Sequence, residues 1–144
     1  MSSDHQFLAE RLVWRFKKSG GEGVASKSFQ QFSEDVQEAV RASAGLHGDE
    51  TPAVLCYFSE ERWTLLTTTR LVWRTTQDAD ITSLDLNRII NVTVEGSALL
   101  RAGGKKELSI LTVVERGGDK YQIELEPGMP FSGFWNAVKA AAGV

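Results

Sequence analysis

Few residues in this chain of 144 have the types and the spacing that catalysis or metal binding requires. The two histidines, His5 and His47, lie in segments that the sequence predicts to be terminal or loop-like. A zinc site needs several ligands that converge on one point, and two histidines with one cysteine do not supply them. Cys56 lies inside an apolar strand-like run, which is typical of a small buried side chain and not of an activated thiol. The sequence therefore predicts no catalytic residue, no metal site and no cofactor.

Acidic pairs and glycine pairs give no stronger indication of an active site. The carboxylates of Glu60 and Glu61, and those of Asp78 and Asp80, fall in predicted turns, where solvated acidic side chains are common. A catalytic carboxyl group would need a pocket that raises its pKa. The Gly-Gly pairs of this chain lack the strand and helix that flank a phosphate-binding loop. We therefore expect that this protein is not an enzyme.

Basic residues form two clusters that could contact a phosphate group or an anionic membrane surface. The first cluster lies in a glycine-containing loop and comprises Arg101, Lys105 and Lys106. The second cluster lies among aromatic residues near the start of the chain and comprises Arg11, Arg15, Lys17 and Lys18. Each cluster also has an ordinary structural interpretation, because lysines protect hairpin tips and a basic helix can dock on its own domain with its cations in solvent.

The composition is that of an average globular chain, with 42% hydrophobic and 24% charged residues. The formal net charge of −3 disfavours nucleic-acid binding driven by overall charge, and the single cysteine excludes an intramolecular disulfide. Glu10, Arg11 and Arg15 interrupt the first apolar stretch, so no secretory signal is predicted. No run approaches the roughly 20 apolar residues of a membrane span. We expect a cytoplasmic protein with no nucleic-acid partner.

Residues 1–50 are predicted to form a helical extension of the main domain. Leu8, Leu12 and Phe16 recur on one helical face. A glycine-rich linker near residues 19–23 then ends this first helix.

A second amphipathic helix is predicted over residues 29–44, with Ser28 as its N-cap and Gly45 as its C-terminal stop. The sequence Arg-Leu-Val-Trp-Arg occurs at 11–15 and again at 70–74. Since the second copy reads as a strand, the first copy could also be a strand.

Residues 51–144 are predicted to form the main domain. Alternating apolar residues and intervening turn residues indicate seven short strands. They lie near residues 54–58, 63–67, 70–74, 81–86, 90–94, 108–114 and 121–125. In the fifth strand, Ile90, Val92 and Val94 are predicted to point inward, with Asn91, Thr93 and Glu95 outward. A final helix is predicted from Pro130 to Ala142, followed by Gly143. The predicted fold class is α+β, mainly β: a seven-stranded antiparallel barrel or sandwich capped by a C-terminal helix.

This order of seven strands and one helix resembles the pleckstrin-homology-like (PH-like) superfold. Residues 63–73, Trp-Thr-Leu-Leu-Thr-Thr-Thr-Arg-Leu-Val-Trp, look like the W-x-L-L-T-x-x-R-L hairpin of bacterial PH-like and GRAM-like domains. Residues 81–84 and 89–92 resemble the I-x-L and I-x-x-V patterns of their fourth and fifth strands. Residues 131–138 resemble their closing helix. The resemblance covers about 52–142.

In that hairpin, residues 67–70 would form the tight turn. Trp63 and Trp73 would then lie on neighbouring strands, where a cross-strand aromatic contact could form. We expect these residues to be structural.

The resemblance implies a non-catalytic interaction module that binds a protein partner or self-assembles. Folds of this type offer a groove between the fifth strand and the helix for an extended peptide. Phosphoinositide-binding members hold the lipid headgroup at the first hairpin turn, where this chain has Glu60 and Glu61, which would repel it. Two alternatives remain: peripheral attachment to an anionic membrane through the basic clusters, and a barrel that holds a small ligand or a reaction, although side chains usually fill so small a barrel.

Overall fold

A computed structural model describes residues 2–75, 78–94 and 108–144. Within these ranges the chain forms three α-helices, eight β-strands and two 3-10 helices, so the mainly β, α+β class is confirmed. The helices are α1 (Ser2–Lys18), α2 (Glu34–Ala44) and α3 (Met129–Ala142), and the 3-10 helices are Phe29–Gln31 and Leu86–Arg88. The strands are β1 (Ser26–Ser28), β2 (Pro52–Ser59), β3 (Arg62–Thr67), β4 (Arg70–Thr75), β5 (Asp78–Asp85), β6 (Ile89–Thr93), β7 (Ile110–Glu115) and β8 (Lys120–Glu124).

The strands form two antiparallel sheets. The larger sheet has the order β1-β2-β3-β4-β5, and the smaller has the order β6-β7-β8. No ladder joins the two sheets among the described residues, so this part of the chain does not form a closed barrel. Strands β2 to β8 overlap the seven segments that alternate in the sequence, although β5 begins at Asp78, so the turn predicted at Asp78 and Asp80 is wrong.

Strand β1 is an addition that the sequence does not predict. Its three residues, Ser26, Lys27 and Ser28, lack an apolar alternation and become a strand by pairing with the edge of β2. In that pairing Ser26 lies opposite Cys56. The first 50 residues therefore contribute to the larger sheet, while a domain boundary near residue 50 stays a prediction.

The larger of two apolar cores lies between one face of the larger sheet, the smaller sheet, α1 and α3. Helix α1 contributes Ala9, Leu12 and Phe16, so it is a helix with one buried face and not a strand. Leu8, predicted to share that face, is exposed. Burial of each large apolar side chain contributes about 1.5–3 kcal/mol, so α1 is an integral part of the fold.

The second core lies on the opposite face of the larger sheet, beneath α2 and the 3-10 helix that precedes it. It consists of Phe29, Val40, Ala44, Leu55, Trp63, Leu65 and Val72. Because both faces of the sheet are covered, β2, β3 and β4 carry long runs of buried residues. Such runs are typical of strands with no solvated face.

Helix α2 begins later than the sequence predicts. Ser33, and not Ser28, is its N-cap, because the Ser33 side chain accepts a hydrogen bond from the Val36 N–H at 3.3 Å. Ser28 precedes the 3-10 helix and makes no side-chain capping bond. The predicted stop at Gly45 is confirmed, since this residue adopts the left-handed conformation that ends many helices.

The predicted contact between Trp63 and Trp73 is wrong. In the β3–β4 register Trp63 lies opposite Arg74 and Trp73 lies opposite Thr64, so the two indoles point to opposite faces of the sheet. Trp63 packs in the second core, while Trp73 packs in the first. There the Trp73 ring meets the edge of Tyr121 with 5.6 Å between ring centroids.

Strand β6 corresponds to the fifth strand predicted from the sequence, and its predicted inward face is only partly confirmed. Val92 is buried, but Ile90 is half exposed and the preceding Ile89 is buried instead. A register irregularity between Ile89 and Asn91 causes this change, because one extra residue shifts the alternation of side chains. Glu95 lies outside the described residues.

Helices α1 and α3 approach so closely that they leave no room for a side chain at two glycines. A Cβ atom at Gly133 would lie 2.6 Å from the Phe16 carbonyl oxygen and 3.0 Å from the Gly21 nitrogen. A Cβ atom at Gly20 would overlap the Met129 carbonyl oxygen. The position of α1 on α3 therefore depends on backbone contact at these glycines.

We predict that Gly133→Ala lowers the free energy of unfolding by about 2 kcal/mol, because overpacking at a backbone contact outweighs the gain in helix propensity of about 1 kcal/mol. Urea denaturation followed by circular dichroism measures the change. Gly117→Ala is the matched control, since its Cβ would meet only Glu115 Oε1 at 3.4 Å. Equal stability of the two variants would contradict the close contact.

Candidate functional site

The two predicted basic clusters have different outcomes. Arg101, Lys105 and Lys106 lie outside the residues that the structure describes. The second cluster lies on α1, where Arg11, Arg15, Lys17 and Lys18 are all exposed.

The α1 cations differ in their surroundings. Lys17 Nζ lies 3.7 Å from a carboxylate oxygen of Glu22. Lys18 Nζ lies 4.6 Å from the centroid of the Trp14 ring, within the range of a cation–π contact. Arg11 and Arg15 project from the same exposed side of the helix.

Phe7, Arg11, Trp14 and Lys18 form one stripe along α1, which we call the α1 outer face. Their spacing of four, three and four residues places them on one side of a helix, opposite the buried Ala9, Leu12 and Phe16. Phe7 is 61% exposed and Trp14 is 56% exposed, the largest values among the described aromatic side chains. The stripe therefore alternates aromatic and cationic side chains in solvent.

Glu50 and Arg70 form a buried ion pair at the end of α2. Arg70 Nε donates to Glu50 Oε2 at 2.8 Å, and Arg70 Nη2 donates to Glu50 Oε1 at 2.9 Å. The same Nη2 donates to the carbonyl oxygens of Ala44 and Gly45, at 3.0 and 3.2 Å. The pair thus binds the open carbonyl groups at the helix C-terminus to the β3–β4 hairpin.

Further donors complete the shell around the Glu50 carboxylate. The Thr67 and Thr69 hydroxyls donate to Oε2 at 2.5 and 2.9 Å, and the His47 N–H donates to Oε1 at 3.0 Å. Burial alone would raise the pKa of Glu50, but the bonds from Arg70, Thr67, His47 and Thr69 outweigh it and lower the pKa to about 2. A carboxylate held this firmly in its ionised form is a poor proton carrier, so the cluster is structural.

Cys56 is fully buried, as the sequence predicts. Burial raises the pKa of its thiol to about 11, while a hydrogen bond with the Ser26 side chain acts in the opposite direction. A thiol with so high a pKa is not a nucleophile at neutral pH.

Glu126 holds the segment that leads into β1. Its Oε2 accepts from the Val24 N–H at 2.8 Å, and its Oε1 accepts from the N–H groups of Ala25 and Ser26 at 3.0 and 2.9 Å. Gly23 permits this approach, since a Cβ there would lie 2.5 Å from Glu126 Oε1. One carboxylate thus satisfies three consecutive backbone donors.

A cleft of about 300 Å³ lies where the two sheets meet at β3, β4, β7 and β8. At its rim Arg62 Nη2 lies 2.5 Å from Glu124 Oε1, and the Arg62 guanidinium stands 4.1 Å from the Phe58 ring centroid. Glu60 and Glu61 form the exposed turn beside it. The one cation of this turn is therefore already paired with a carboxylate.

The outer edge of β6 is partly occupied. The Val92 N–H donates to the Asn91 side-chain oxygen at 2.9 Å. The Val92 carbonyl oxygen accepts from the Trp135 indole N–H, on α3, at 3.0 Å. A peptide that added a strand here would first have to displace both bonds.

Within residues 2–75, 78–94 and 108–144, no three His, Cys, Asp or Glu side chains lie close enough together to hold a metal ion. His5 Nδ1 lies 2.8 Å from Thr68 Oγ1, which joins the start of α1 to the β3–β4 turn. None of the helices in this part of the chain is both long enough and apolar enough to span a membrane.

Comparison with known proteins finds no protein-family model and no curated protein that matches this chain. The PH-like resemblance stays a prediction.

We predict that acid destabilises the fold through Glu50. Its pKa is about 2 in the folded state and 4.5 when unperturbed, so its contribution of about 3 kcal/mol is complete above pH 4.5 and is lost as the pH falls toward 2. Urea denaturation between about pH 7 and pH 2.5 measures the free energy of unfolding. Glu50→Gln should be less stable at neutral pH and lose less on acidification. The exposed Glu38→Gln should follow the wild type, and parallel curves for wild type and Glu50→Gln would contradict the assignment.

We also predict that the Cys56 thiol reports the attachment of β1. Labelling by a thiol reagent should be slow in the folded wild type and complete after denaturation, since the thiol is buried and its pKa is about 11. Glu126→Ala should accelerate labelling at least about tenfold, because three backbone N–H groups lose their acceptor. Glu126→Gln, which keeps an acceptor oxygen, should fall between the two. Equal rates in all three proteins would show that Glu126 does not hold β1.

Proposed function

We propose that this protein is a non-catalytic interaction module of the PH-like type, which binds another protein, a membrane surface or a second copy of itself. The α1 outer face carries this proposal. It presents two highly exposed aromatic side chains, Phe7 and Trp14, on a helix that the larger core fixes in place. Exposed aromatic residues next to cations are typical of binding surfaces.

The chemistry of the described polar groups supports a role without catalysis. Glu50 and Arg70 are committed to each other and to α2, and Cys56 is buried with a raised pKa. Glu126 is occupied by three backbone donors. These four groups therefore have structural tasks.

The α1 outer face is a better candidate surface than the groove between β6 and α3. In the described part of that groove, the Val92 backbone groups are bonded to Asn91 and Trp135. Phosphoinositide binding at the first hairpin is disfavoured, because Glu60 and Glu61 are exposed there and Arg62 is paired with Glu124. A cytoplasmic location is part of the same proposal.

Site-specific photo-crosslinking of the full chain in its native cells tests the proposed function. We predict adducts when a photoreactive residue replaces Phe7 or Trp14, and none when it replaces Ile110. Ile110 is 45% exposed on β7 and gives a matched apolar control position. Mass spectrometry then distinguishes a lipid, a second copy and another protein as the partner.

Light scattering after size-exclusion chromatography gives the oligomeric state over a wide concentration range. A strict monomer would remove the self-assembling form of the proposal. The absence of any adduct at Phe7 and Trp14, lipid included, would remove the proposed function itself.

A further inference from the structure

We propose that the α1 outer face docks this protein on the anionic surface of a lipid bilayer. This inference rests on the proposed function and names its partner. The structural basis is the alternation of Phe7, Arg11, Trp14 and Lys18 along one exposed side of α1.

The stripe has the dimensions of a surface contact. From Phe7 to Lys18 it runs about 16 Å along the helix, at roughly 1.5 Å per residue. Trp and Phe side chains partition into the interface between headgroups and acyl chains. Arg and Lys side chains extend from the same backbone toward lipid phosphates. With the helix at one depth in the interface, the aromatic and the basic side chains can therefore contact the lipid at the same time.

Helix α1 presents this stripe without any rearrangement. Its opposite face is buried in the larger core through Ala9, Leu12 and Phe16. The backbone contacts at Gly20 and Gly133 fix α1 against α3. An isolated amphipathic helix folds as it binds a membrane, whereas this helix is already ordered, so docking would not require it to fold.

Local charge favours an anionic partner. Between residues 7 and 18 the chain has four basic side chains, Arg11, Arg15, Lys17 and Lys18, and one acidic side chain, Glu10. The whole chain has a net charge of −3, so the segment 7–18 is basic although the chain as a whole is acidic. A negatively charged bilayer would therefore attract this part of α1 more strongly than it attracts the chain as a whole.

A second copy is less suited to the same surface. A symmetric dimer brings one patch against its own copy, so two segments that each carry a net charge of +3 would approach each other. A bilayer presents phosphate groups to all of them and apolar depth to Phe7 and Trp14. The charge pattern therefore favours an anionic bilayer over a second copy.

Vesicle co-sedimentation of the full chain provides the test. The probes are phosphatidylcholine vesicles with and without about 30% phosphatidylserine, at roughly 0.05 M and 0.5 M salt, because the Debye length is much shorter at the higher salt. We expect binding to the phosphatidylserine vesicles at low salt, weakened at high salt. Brominated lipid should quench tryptophan fluorescence, and Trp14→Phe should abolish most of that quenching while it retains binding.

Matched variants separate the α1 outer face from general charge and hydrophobicity. Arg11→Gln with Lys18→Gln should weaken partitioning roughly thirtyfold, since each basic residue contributes about fivefold near an anionic surface. Arg116→Gln with Lys120→Gln, exposed on the β7–β8 hairpin, makes the same charge change and should bind normally. Phe7→Ala with Trp14→Ala should weaken binding at least about tenfold, whereas Ile90→Ala with Met129→Ala should not. Thermal unfolding confirms that each variant is folded.

Three results would overturn the inference. One is no binding of the folded wild type to phosphatidylserine vesicles at low salt. Another is binding that the outer-face variants leave unchanged. The third is a dimer that depends on Phe7 and Trp14 in a protein that ignores vesicles; this would leave the proposed interaction module intact with a second copy as its partner.

Discussion

The central strands β2, β3 and β4 of the five-stranded sheet are buried on both faces, so each face needs a cover in the folded protein. Helix α2 and its 3-10 turn cover one face, while α1, α3 and the smaller sheet cover the other. Helices α1 and α2, which both precede β2, are therefore required on opposite faces of the sheet. This requirement fixes the exposed side of α1: with Ala9, Leu12 and Phe16 buried, Phe7 and Trp14 have no position left except in solvent.

The buried polar groups hold elements in place against the larger sheet. Removing Glu50 and Arg70 from water costs several kcal/mol for each ion, and the bonds to hydroxyls and to the end of α2 offset this cost. The pair defines where α2 ends relative to the β3–β4 hairpin. Glu126 does the equivalent for β1, which at three residues is too short to hold its own place. The ion pair and the hydrogen bonds to backbone groups thus position α2 and β1 on the larger sheet. Burial of the apolar faces supplies the stability.

Periodicity predicted the strands β2 to β8, helix α3 and the approximate position of α2, because burial on one face leaves a repeating pattern. Contacts between distant residues left no such pattern. Alternation places Glu126 outward with Glu124, and nothing nearby in sequence marks the three N–H groups that it binds. Glu50 is separated from Arg70 by 20 residues. Trp63 and Trp73 looked like partners until the hairpin register placed them on opposite faces. In the candidate surface, the α1 cations were predictable from the sequence, whereas their alignment with Phe7 and Trp14 in solvent depends on how α1 packs.

The repeated pentapeptide shows how context decides what such residues do. In the strand copy at 70–74, Arg70 is buried against Glu50 and Trp73 is packed in the larger core. In the helical copy at 11–15 the leucine alone is fully buried, and Arg11 and Trp14 stand in solvent. Identical side chains thus stabilise the fold in one place and remain available in the other. The residue types determine which interactions these side chains can make. The secondary-structure element that carries them determines whether they make those interactions within the protein or remain exposed to a partner.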